Sequence, residues 1–185
     1  MTCVVGVIAR KDRRVILATD SSSSSDSIIE IVRTPKVHVR DGIAFGFTTS
    51  WRWGAIIAHA LIIPPRPPRM PVETWVAHDL VNALRSAAGE GGFLREHEGR
   101  DDGGCALIAV GRHLFKLNAD FGVTEPSRGI ASVGSGSHYA MGAMFEAARW
   151  DSDARKIATA GLRAATAMHP NVGGPFQFHY SDSRR

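Results

Sequence analysis

Thr2-Cys3-Val4-Val5-Gly6-Val7-Ile8 and, beyond the polar tip Arg10-Lys11-Asp12-Arg13, Val15-Ile16-Leu17-Ala18-Thr19-Asp20 together decide the fold of this chain. Two apolar runs separated by a charged turn read as a pair of strands forming a hairpin. A hairpin of this size sets its open ends side by side, so Asp20 arrives near Thr2. Thr is small, and the usual trimming of an initiator Met leaves it as the first residue. A Thr at a free N-terminus carries a hydroxyl nucleophile and an amine base on one residue, a recognised way to activate a Thr hydroxyl.

Working outward, Thr34-Pro35-Lys36-Val37-His38-Val39 sets a Lys at the start of the next strand, and Asp41-Gly42 turns it into Ile43-Ala44-Phe45-Gly46-Phe47. Residues 50–63 have helical spacing, with Trp51, Gly54 or Ala55, Ala58 and Leu61 along one side. The prolines from Pro64 to Pro71 make a stiff extended connector. A second helix is expected from Val72 to about Ala88, with Trp75, Leu80, Val81 and Leu84 apolar, and the Gly-rich stretch 89–104 reads as loop. Strands follow at 105–110, 113–117 and 130–133, and helices at 137–149 and 152–168, the second with Asp151 as a candidate cap. The alternating run 175–180 closes the chain as a strand. Strands, two helices, strands, two helices and a strand predict an α+β fold: a four-layer αββα sandwich of two antiparallel sheets flanked by helix pairs, as one domain over 1–185.

Four elements carry a resemblance: Thr2-Cys3, Val15 to Asp20, Lys36-Val37 and Gly134-Ser135-Gly136-Ser137-His138-Tyr139-Ala140 running on to Ala143. In their order and most of their spacing they resemble the β-type subunits of the proteasome superfamily, including the bacterial HslV peptidase and related bacterial homologues. The likeness implies the N-terminal-nucleophile hydrolase fold and a threonine endopeptidase. Thr2 is then the nucleophile, its α-amine the base, Lys36 the charge that favours the alkoxide, Asp20 the residue that aims Lys36, and Ser135 a support for the amine and the hydrolytic water. Ser24 falls where a substrate peptide pairs its backbone, although the hydroxyls of the 21–25 serine run read as plain loop. The likeness further implies homo-oligomeric stacked rings, hexameric or heptameric, acting on unfolded polypeptide, and leaves room for an ATP-dependent unfoldase.

Two places depart from the family pattern. Where the family has a Gly-rich turn whose backbone N–H stabilises the oxyanion, this chain has Gly46-Phe47-Thr48-Thr49-Ser50. The donor becomes the N–H of Thr49 or Ser50, and a Cβ there crowds the substrate side and invites strained dihedrals. Late in the chain, His169 and Val172 replace an Asp and a Ser of the pattern. His169 is a candidate substitute for that Asp, with a structural His as the competing reading. Two alternatives follow: a non-catalytic ring or scaffold protein, or a small-molecule amidase of the same superfamily.

Bulk properties narrow the classes. The chain has 185 residues, 44% of them hydrophobic, enough for a sizeable core. Neither a leader nor an apolar run long enough to span a membrane is present, so no membrane role is expected. Two cysteines suit a reducing cytoplasm. Although the net charge is +4, the basic residues are scattered without interleaved aromatics, which argues against nucleic acid. The 134–136 loop lacks the third glycine of a dinucleotide fingerprint, where Tyr139 stands. No cofactor and no metal are expected.

Overall fold

The computed structural model describes residues 2–11, 13–25, 28–97 and 100–181; Met1, and Asp12 of the first hairpin tip, lie outside them. β1 (Cys3–Ile8) and β2 (Val15–Thr19) pair antiparallel with Val4 opposite Thr19, so the chain start and Asp20 share one end of the hairpin. β3 (Ser22–Ser25) and β4 (Ile28–Ile31) form a small hairpin, and β5 (Val37–Arg40) turns through Asp41-Gly42 into β6 (Ile43–Phe47). After two helical segments, at 51–60 and 72–90, come a second small hairpin, β7 (Arg95–His97) and β8 (Arg100–Asp102), and then β9 (Ala106–Val110), β10 (His113–Leu117) and β11 (Val123–Thr124). β12 (Ile130–Gly134), helices Ser137–Trp150 and Ala154–Met168, and β13 (Gln177–Tyr180) complete the chain.

Two antiparallel sheets result, ordered β12-β1-β2-β13 and β11-β10-β9-β6-β5. Side chains alternate across each strand, and the alternation sorts the interior into three apolar layers. Val4, Val15, Leu17, Ala44, Leu107, Ala109, Leu114 and Val133 meet between the sheets. Cys3, Val5, Val7, Ile16 and Ala18 face the other way, against Ala140, Met144, Ile157, Ala158 and Leu162 of the two late helices. Ile43, Phe45, Phe47, Ile108, Val110 and Phe115 pack on Trp53, Ile56, Trp75, Leu80 and Leu84 of the two early ones. This is the four-layer αββα sandwich. Gly6 and Gly46 let the sheets close on each other: a Cβ at Gly6 would lie 2.7 Å from Leu114, and one at Gly46 would lie 2.6 Å from Val4.

Local differences from the sequence reading have physical causes. Both early helices switch from α to π geometry, at Ile56–Ala60 and Val76–Leu80, so each bond there spans one more residue. In the first helix this bonding ties Leu61, just past its end, to the Ile56 carbonyl five residues back, and Leu61 stays buried with Trp53, Gly54, Ile56 and Ile57 while Trp51 is left half-exposed. It also reconciles Trp75 and Leu80, five apart, on one buried face. The serine run forms strand β3 because Ile28–Ile31 pairs with it, and part of the 89–104 stretch forms β7 and β8. The last helix starts at Ala154 under Asp153, whose carboxylate accepts the N–H groups of Arg155 and Lys156. Asp151 instead ends the preceding helix and accepts the Asp153 N–H.

Candidate active site

At the end of the β1–β2 hairpin the apolar interior gives way to a buried polar cluster: Thr19, Asp20, Ser21, Ser22 and Lys36 are all at most 2% exposed. Asp20 is its centre. Its Oδ1 accepts the Cys3 N–H at 3.0 Å and the Lys36 ammonium at 2.8 Å. Its Oδ2 accepts the N–H groups of Ser22 (3.2 Å) and Gly173 (3.4 Å). The Ser22 hydroxyl lies between Oδ2 and the Asn171 carbonyl, which is 2.9 Å away. A carboxylate offers about four lone-pair sites, so this one is fully engaged without water.

Lys36 precedes β5, held by its carbonyl, which accepts the Phe47 N–H. Its ammonium donates to Asp20 and to the Ser22 carbonyl, and sits 6.0 Å from the Trp51 ring centroid. Burial pulls the Lys36 pKa below its ordinary 10.5, and the adjacent Asp20 carboxylate opposes that shift. Of the three N–H donors of an ammonium, two go to these partners.

Thr2 runs directly into this cluster, because the peptide linking it to Cys3 supplies the N–H bound by Asp20. On its other side β12 closes in, with Cys3 opposite Gly134. Gly134 has φ +99, and a Cβ there would fall 2.1 Å from the Thr2 carbonyl oxygen. Only glycine fits. The Ser135 hydroxyl donates to that same carbonyl at 3.3 Å. Thr2, Asp20, Lys36 and Ser135 therefore converge. Cys3, the other nucleophile type at this end, is fully buried, and desolvation, followed by the nearby Asp20 charge, pushes its thiol up to about 12. It is an inert thiol.

The turn after β6 reaches the same place, since the Thr48 methyl also lies against Gly134. Here Ser50 N–H donates to the Thr48 carbonyl at 3.0 Å around Thr49, whose φ is +79. This is a tight three-residue turn that a β-branched residue adopts only under strain. The Thr49 hydroxyl accepts the Cys105 N–H at 3.2 Å. With the Ser50 N–H committed to the turn, the Thr49 N–H is the better oxyanion candidate of the two.

Ser24 sits on β3, opposite Ile29. His169 caps the last helix and accepts the Asn171 N–H at 3.2 Å through Nδ1; its bonds are to its own turn rather than to Thr2 or Asp20. That turn serves Asp20 through its backbone, by the Asn171 carbonyl and Gly173 N–H, while Val172 is buried against the apolar side. Sequence reasoning missed Ser22 and these backbone groups; the only signal for Ser22 was its place two residues after Asp20. Beside Lys36 and Trp51 a cavity of about 410 Å³ opens, lined by Thr34, His38, Phe47, Gly54, Ala58 and His59 among others.

Solved structures place this geometry. BPH from Thiobacillus denitrificans, determined in complex with epoxomicin, is 29% identical, with TM-score 0.82 over 99% of this chain and 100% of that one. Eukaryotic HslV from Trypanosoma brucei shares the fold at 20% identity, TM-score 0.67, over 96% and 98% of the two chains. Anbu from Yersinia bercovieri does so at 16% identity and TM-score 0.68, over 97% and 81%. Neither a protein-family model nor a curated protein matches the sequence. The chain is a relative of the proteasome β-type and HslV-like proteins of the N-terminal-nucleophile hydrolase superfamily.

Proposed function

We propose that this chain is a threonine-type peptidase in which removal of Met1 exposes Thr2 as the nucleophile. The observation that carries the reading is the buried Lys36 ammonium, tied by two of its donors to Asp20 and Ser22 beside the Thr2–Cys3 peptide. Its remaining N–H, with no hydrogen-bond partner among the described residues, would favour an alkoxide at Thr2. The freed α-amine, with an ordinary pKa of about 7.7–8.0, is matched to act as base near neutral pH.

In the proposed reaction the Thr2 Oγ bonds to the substrate carbonyl carbon while its proton passes to the α-amine. The carbonyl oxygen becomes an oxyanion facing the Thr49 N–H. As the C–N bond breaks, the α-ammonium returns a proton to the leaving amine, giving an acyl ester on Thr2. Water, deprotonated by the same amine, then cleaves the ester, and Ser135 steadies this end of the chain. Strain held at Thr49 supports the assignment, because strained backbone clusters at functional sites.

We further propose homo-oligomeric stacked rings of six or seven subunits, an unfolded polypeptide substrate and a cytoplasmic setting. Exposed Ile28, Ile29, Ile31, Phe145, Trp150 and Met168 are the kind of surface that self-assembly would cover. No helix among the described residues is long and apolar enough to cross a membrane. Epoxomicin, the ligand of the related BPH, is the test probe. Intact-mass analysis is expected to show loss of Met1 and one epoxomicin adduct on Thr2, with turnover of an unfolded substrate abolished in both the adduct and Thr2→Ala. A Thr2→Ala protein that still turns over at the wild-type rate would end this reading.

A further inference from the structure

We propose that Glu73, His113 and Glu125 form a binding site for one zinc ion, far along the chain from Thr2 and not dependent on the peptidase reading. The three come from separate elements: Glu73 from the first turn of the 72–90 helix, His113 from the start of β10, and Glu125 from just beyond β11. His113 Nδ1 lies 3.0 Å from Glu125 Oε1 and 3.3 Å from Glu73 Oε1, and the three donor atoms all fall within 4.8 Å of one another. One ring nitrogen has a single proton or a single lone pair, so it cannot give each carboxylate its own hydrogen bond. Two carboxylates gathered on one nitrogen also repel. A cation among them answers both problems. A tetrahedral zinc ion with bonds of roughly 2.0–2.2 Å has ligand-to-ligand edges of about 3.3–3.6 Å, which the 3.3 Å distance to Glu73 meets and the 3.0 Å distance to Glu125 reaches with a small outward shift of that exposed side chain.

Two further features support a site. The His113 ring is stacked on Phe115, with centroids 6.0 Å apart and planes 8° from parallel, which fixes the direction of its nitrogens. Glu73 and His113 also line a cavity of about 580 Å³, which leaves their donor atoms within reach of an ion from solvent. The donor set favours zinc over calcium and magnesium: an imidazole with two carboxylates suits a transition-type ion, whereas calcium and magnesium prefer oxygen alone. The ion would clamp the start of the 72–90 helix to the β10–β11 edge.

The test is calorimetric titration of zinc chloride into chelator-treated protein, with thermal unfolding followed in parallel. One zinc per chain and a zinc-dependent rise in Tm are expected. Both should vanish in His113→Ala, and affinity should fall at least about tenfold in Glu73→Gln and in Glu125→Gln. Cys105→Ala and Thr2→Ala should bind zinc as the wild type does, which separates this site from the thiol and from the chain start. Zinc X-ray absorption should show a nitrogen and oxygen shell containing one imidazole and no sulfur. The proposal is overturned if wild-type protein takes up no zinc, if His113→Ala binds it equally well, or if calcium is taken in preference.

Discussion

Along β2 and its continuation, Val15 to Ala18 and Thr19 to Ser22 are shut from water to nearly the same degree, yet they are held in opposite ways. The first stretch meets Leu107, Leu114 and Ala131 on one face and the late helices on the other. Contacts there are many and individually weak, so trimming one side chain thins a layer that still closes. In the second stretch the polar side-chain atoms have one to three named partners each, and the ion pair Lys36–Asp20 is shut from water. Removing one member strands the other in a dry interior. Equal burial therefore hides unequal consequences: either loss costs stability, but only the second reaches the proposed chemistry.

The sharpest way to break this contrast is Lys36→Ala. It should cost several orders of magnitude in the proposed peptide turnover, because pre-organised charge is usually a large catalytic contribution. It should also cost about 3–5 kcal/mol of stability through the unpaired Asp20. Lys36→Arg should fail in turnover almost as badly, since a planar fork does not replace a compact ammonium. Denaturant melts and substrate assays on both variants read this directly; a Lys36→Ala protein as stable as the wild type would erase the contrast.

Leu114→Ala, between the sheets, is expected to lose about 2–5 kcal/mol while turnover per folded molecule stays unchanged. A smaller effect belongs to Thr49→Gly, which should relieve about 1 kcal/mol of positive-φ strain. That variant should keep its activity, because the turn and its N–H survive; a clear loss of rate would show that the Thr49 hydroxyl, bound by Cys105, matters beyond the backbone.

At neutral pH the smallest expected effect is on Cys3, whose side chain is in the apolar layer and whose N–H is on Asp20. Its folded pKa, about 12, stands above the ordinary 9.0, so the folded protein keeps a proton that the unfolded chain releases. The resulting stabilisation is complete below pH 9 and drains away as pH rises through 9 to 12. Alkaline melts of Cys3→Ala should show a shallower decline over that window, and a thiol reagent at pH 9 should leave Cys3 of the native protein unmodified.

Much of the fold was legible because β1, β2, β6 and β9 are buried on both faces, so each stands in the sequence as a short continuous apolar run bounded by turn residues. The meeting of Thr2 with Asp20 was legible too, since hairpin topology brings those ends together whatever the packing, whereas Lys36, from the start of a strand in the other sheet, was placed there by the resemblance alone. Ser22–Ser25 is no such apolar run: its strand depends on pairing with Ile28–Ile31, and its chemistry on Ser22 being buried against Asp20. The π turns were invisible because a one-residue change of bond span leaves no mark on composition. His113, Glu73 and Glu125 are brought together only in three dimensions, from a helix start, a strand start and a loop.

The fixed pairing of Cys3 with Gly134, locked further by the Cys3 N–H on Asp20, makes the first strand a ruler for the chain's own beginning. Each residue along a strand advances about 3.3 Å and turns its side chain to the opposite face. A cut one residue late, or a single residue left behind, offsets the chain's leading amine from the ammonium of Lys36 by that full step. Under the proposed Thr2 mechanism, the enzyme that trims this chain must therefore count to one. Any affinity tag meant to leave the protein competent belongs at the other end, beyond β13.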